Sequence, residues 1–128
     1  MEQTAYQRFE DQNFQLRNQL DETLDAQLNL KKERQSLENL QERFYHVQQQ
    51  ELQLYQQSLN TADPEERVFF DDRLNEGQWL SRKAFQEFEE QQEDLEIEYK
   101  NLLEKEDSVR AAQRTLLQTE GKEHVHGT

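Results

Sequence analysis

Apolar residues recur along this chain at every seventh position. One column runs Phe9, Leu16, Thr23, Leu30, Leu37, Phe44, and a companion column ends in Leu40, Val47 and Leu54. A second set runs Leu74, Ser81, Phe88, Leu95, Leu102, Val109, Leu116. Such spacing marks helices that meet along a narrow seam. Between the two sets lies Ser58-Leu59-Asn60-Thr61-Ala62-Asp63-Pro64-Glu65-Glu66. Asp63 is a good N-cap, since its carboxylate accepts a hydrogen bond from a free backbone N–H. Pro64 follows at the first helical position, where a missing N–H costs nothing. Glu66 completes a spacing like that of a capping box. A helix is therefore predicted to start at Pro64, and the preceding one to end near Leu59 or Asn60. Gly121 is the expected stop of the second helix. Residues 122–128 are expected to form a short flexible tail.

The columns also predict how the two helices face each other. In an antiparallel hairpin, facing residue numbers have a constant sum. Phe9 with Leu116, Leu16 with Val109, Leu30 with Leu95 and Phe44 with Ser81 all share one sum, and its midpoint falls between Ala62 and Asp63. The rival reading, one continuous helix kinked at Pro64, does not explain that agreement. The expected fold class is all-α: an antiparallel two-helix coiled-coil hairpin with its turn near residues 60–64. It stands alone or forms part of a four-helix assembly. Residues 1–121 form the single hairpin domain, with arms of about 3–59 and 64–120.

More apolar surface is present than one seam can use. With Phe44 and Phe88 at position a, Tyr45, Leu52, Leu59 and Leu24 fall at b, and Leu20 and Tyr55 at e. In the second arm Phe85 and Tyr99 fall at e, and Val68 and Leu103 at b. Positions d, a, e and b span roughly 160° at 100° per residue, too wide for one neighbouring helix to cover. Of the 12 aromatic residues, eight lie between Phe44 and Phe88, the turn-proximal part. Aromatic residues carry much of the energy of interfaces. Two readings are open: a docking surface, or a bulkier local core with an extra helical turn around Val68-Phe69-Phe70. The residues named for docking are Tyr45, Leu52, Tyr55, Phe69, Trp79 and Phe85. Gly77 lies inside the second helix and reads as a bend, a break, a close approach of another backbone, or a tolerated glycine.

Composition narrows the class of function. The 128 residues carry a formal charge of −13, are 32% hydrophobic and contain no cysteine. So negative a chain is a poor ligand for phosphate backbones and for anionic membranes. No apolar run suits a transmembrane helix, and the polar opening Met1-Glu2-Gln3 predicts no secretory signal. The acidic balance suits a basic or mixed-charge partner, or serves solubility alone. Paired carboxylates such as Glu89-Glu90, Glu93-Asp94 and Asp71-Asp72 sit in charge-rich helical stretches and read as a solvated face rather than as acid–base groups. His46 has no second ligand at helical spacing. His124 and His126 make a weak two-ligand set on the tail. No catalytic residue, resident metal or cofactor is expected.

The stretch Phe69-Phe70-Asp71-Asp72-Arg73-Leu74, followed by Trp79-Leu80-Ser81-Arg82-Lys83-Ala84-Phe85, gives the chain a family resemblance. It resembles the small acidic helical partners of LXG toxins in Gram-positive type VIIb secretion, and in outline the WXG-type hairpins. The resemblance implies a non-enzymatic chaperone or targeting factor that binds the helical N-terminal domain of a toxin. It also implies work in the cytoplasm, with or without export alongside the client. Two departures stand out. Trp79 follows Gly77 and lies beyond the turn, so the Trp-x-Gly signature is not met. The aromatic-to-acid spacing of an export signal occurs at Tyr6 with Glu10 and at Phe85 with Glu89, as often as chance gives. The alternative is a self-assembling structural coiled coil, closed as a homodimeric four-helix bundle.

Overall fold

In a computed structural model, which describes residues 4–126, the chain forms two helices. Helix α1 spans Ala5–Thr61 and α2 spans Pro64–His126, and they pack against each other as an all-α hairpin. The turn lies where the capping chemistry places it. Asp63 Oδ1 accepts from the Glu66 N–H at 2.9 Å, and the Asp63 carbonyl accepts from Arg67 at 2.9 Å. Helix α1 opens on a full capping box that sequence reading missed: Thr4 Oγ1 accepts from Gln7 N–H, and Gln7 Oε1 accepts from Thr4 N–H, both at 3.1 Å. The short Thr-x-x-Gln signal lies in a polar stretch with no apolar run beside it to draw attention. At the other end of α1, the Thr61 hydroxyl donates to the Gln57 carbonyl at 3.3 Å. The stop expected at Gly121 does not end α2, which continues to His126. A helix tolerates an interior glycine at a cost of about 1 kcal/mol relative to alanine.

The chain divides into two compact units, each built from a piece of both helices. The first comprises residues 1–31 and 96–128. Its interior is thin and half polar: Thr23, Gln27 and Val109 are the buried side chains. The Thr23 hydroxyl donates to the Gln19 carbonyl at 2.7 Å. Gln27 Nε2 donates across to Glu106 Oε1 at 2.9 Å and to the Leu102 carbonyl at 3.3 Å. Arg110 closes on the other Glu106 oxygen at 2.9 Å. The second unit comprises residues 32–95. Leu37 is its buried aliphatic, Gln92 Nε2 donates to Gln41 Oε1 at 3.0 Å, and Phe44 packs edge-on against Phe85 and Phe88.

These contacts correct two details of the expected seam. The first is register. Leu30 shares a groove with Leu102, Leu37 shares one with Leu95, and Phe44 meets Phe88 instead of Ser81. The helices are offset by one heptad. A heptad pattern defines register only to within a multiple of seven, and α2 runs one heptad further than expected before it draws level with α1.

The second correction is the inner companion column. Leu40, Val47 and Leu54, expected inside, are more than half exposed. The inner positions are instead those four residues past each a residue: Gln27, Gln41, Gln48 and Tyr55 in α1, facing Phe85, Gln92, Tyr99 and Glu106 in α2. The bulk of α2 explains the choice. Its large side chains Phe85 and Tyr99 lie in that column, whereas the opposite flank offers only Gly77, Ala84, Ala112 and charged or polar residues. The amides are tolerable there because they are bonded: Gln41 pairs with Gln92, and the buried Gln27 reaches the Leu102 carbonyl and Glu106.

Candidate docking surface

The six residues named for docking divide into three groups. Leu52 and Tyr55 are half-buried. With Gln48 of α1 and Leu74, Gly77 and Ser81 of α2, they line an open notch in the second unit. Its floor is low because Gly77 and Ser81 are small. A methyl group built on Gly77 would meet no atom within 4 Å. No glycine among the described residues has a positive φ, so the helical backbone does not require glycine there either. A helix-interior glycine costs about 1 kcal/mol relative to alanine. Nothing within the chain accounts for that cost, which makes Gly77 the residue that sequence reading left without a role.

Tyr45 is 52% exposed, one residue past Phe44 and on the same flank of α1 as Leu52. Phe69 and Trp79, 55% and 54% exposed, stand on the outer side of α2. Each is topped by a cation from its own helix: Arg73 lies 5.3 Å from the Phe69 ring centre, and Lys83 lies 4.9 Å from that of Trp79. Such contacts hold an exposed ring in place without hiding it. Phe85 is a different case. Its ring is 5.4 Å from Phe44 and 6.4 Å from Phe88, so it belongs to the seam of this unit. The structure brings Leu52 and Tyr55 to one notch, leaves Tyr45 on its rim side, and places Phe69 and Trp79 on another face.

The surroundings are polar but hold no obvious reactive centre. Among the described residues, no three His, Asp or Glu side chains converge as metal ligands, and no helix is long and apolar enough to cross a membrane. The side chains of His124 and His126 lie outside the described ones. Tyr6 donates to Glu10 one turn on. That bond and the carboxylate's charge push the phenol above its usual range. The Glu106 carboxyl is held below the usual range, first by the Gln27 amide and then by Arg110. The first effect lies within one turn of α1, and the second crosses from α1 to α2. No family model matches the chain, and no curated protein or solved structure matches it significantly.

Proposed function

We propose that the chain is a non-enzymatic docking factor that holds a helical segment of another protein against the turn-proximal unit. The observation that carries this reading is the notch at Gly77. It is a helix-interior glycine with neither a backbone nor a packing reason inside the chain, beside two apolar side chains, Leu52 and Tyr55. A neighbouring helix would set one large apolar side chain into the notch and lie along Tyr45. The exposed rings of Phe69 and Trp79 offer a second point of contact.

By the resemblance to partners of LXG toxins, the client is the helical N-terminal domain of such a toxin. The chain would then act in the cytoplasm as its chaperone or targeting factor for type VII secretion. Export together with the client is the further form of that proposal. The test is co-purification of a tagged toxin N-terminal domain with variants of this chain. Gly77→Leu fills the notch and should reduce the affinity at least tenfold, and Tyr45→Ala should do so to a lesser degree. Gly77→Ala is the sharper probe, because it should raise the melting temperature of the free chain while weakening the complex. A client that binds Gly77→Leu as tightly as the natural chain would sink the site assignment.

A further inference from the structure

We infer that the flank of α1 carrying Leu40, Val47 and Leu54 is covered by a second copy of this chain. These three side chains are 52%, 52% and 63% exposed, seven residues apart, and all within the second unit. At 100° per residue they stand about 160° around α1 from Tyr45 and Leu52. Leu40 opens onto a groove shared with Leu37, Gln91 and Leu95 and with the charged Lys32, Glu33 and Asp94, so the uncharged part of the flank is the part around Val47 and Leu54.

Charge identifies the occupant. The chain carries −13 overall, yet from Phe44 to Ala62 its only formally charged residue is Glu51. The other outward positions of that stretch are mostly Gln, Asn and His. A basic partner would be attracted by carboxylates, and a strip stripped of them gives it nothing. A second copy brings the same excess of carboxylates and is repelled least on such a strip, which holds Val47 and Leu54. The absence of charge is therefore the mark of a like-charged neighbour.

The test is the mass of the purified chain by light scattering across concentration, with helicity followed in parallel. The natural chain should show the mass of two copies at tens of micromolar and fall toward one copy on dilution. Val47→Glu combined with Leu54→Glu should shift it to the mass of a single chain at every concentration. Tyr45→Glu, on the other flank, should leave the pair intact. Should the acidic double variant lose helix, Val47→Gln with Leu54→Gln reads the same surface without added charge. A natural chain that stays single throughout overturns the inference. So does a double variant that still pairs, or a pair broken by Tyr45→Glu alone. No client is present in this experiment, so its failure leaves the Gly77 notch untouched.

Discussion

Gln27 is almost withdrawn from water, yet its amide reaches both a backbone carbonyl and the Glu106 carboxylate. A buried polar group is acceptable only when bonded, and removing its partner leaves the full desolvation cost behind. Gln27→Ala should therefore lower unfolding stability by about 1–2 kcal/mol, read as a shift of the urea midpoint. The same bond governs Glu106. Its carboxyl titrates below the usual range when folded, chiefly because Gln27 donates to it and then because Arg110 does. A folded-state pKa below the unfolded one means stability that is present above the unfolded pKa. That stability is lost as pH falls through the folded one. Glu106→Gln should flatten that acid limb. Parallel melting curves for the variant and the natural chain through the carboxylate range would contradict this account.

At the scale of the helix, each heptad column is a ruler with identical marks. The a columns were legible because Phe, Leu and Val recur there at every seventh position, interrupted only by the small Thr23 and Ser81. The turn was legible because Asp63 and Pro64 each have one good physical place. The offset of one heptad was not, since no residue in the columns differs enough from its neighbour seven places away. Nor was the choice of inner flank. Leu40, Val47 and Leu54 look more like core than Gln27, Gln41 and Gln48, and hydrophobicity alone prefers them. Pairing of the amides across the seam, and the bulk of Phe85 and Tyr99, reversed that preference. The Gly77 notch was visible only as an oddity, because open space beside a missing side chain needs coordinates to be seen. Register can be checked with a chain that has no cysteine of its own. Leu37→Cys with Leu95→Cys should cross-link within one chain through a short reagent, and Leu37→Cys with Phe88→Cys should not. The reverse result would restore the register expected from the columns.

On the scale of the molecule, the two units share the same helices but not the same kind of surface. The unit of residues 1–31 and 96–128 pairs polar groups around Thr23 and Gln27. The unit of residues 32–95 carries the aromatic seam, the notch and the bare flank of α1. Proposed contacts with other chains therefore gather in one unit.

Trp79 adds a consequence of another kind. It is the only tryptophan, half open to water, with the Lys83 ammonium over its ring. Its emission belongs to a single site, with no other indole to obscure it. In the free chain it should emit at the long wavelengths of a hydrated indole and be quenched readily by acrylamide. Iodide should quench it too, drawn by the lysine. Pairing through Val47 and Leu54 should leave this light unchanged, whereas a client seated on Trp79 should shift it to the blue and shield it. The chain thus carries an optical tag that distinguishes one kind of neighbour from the other in a single cuvette.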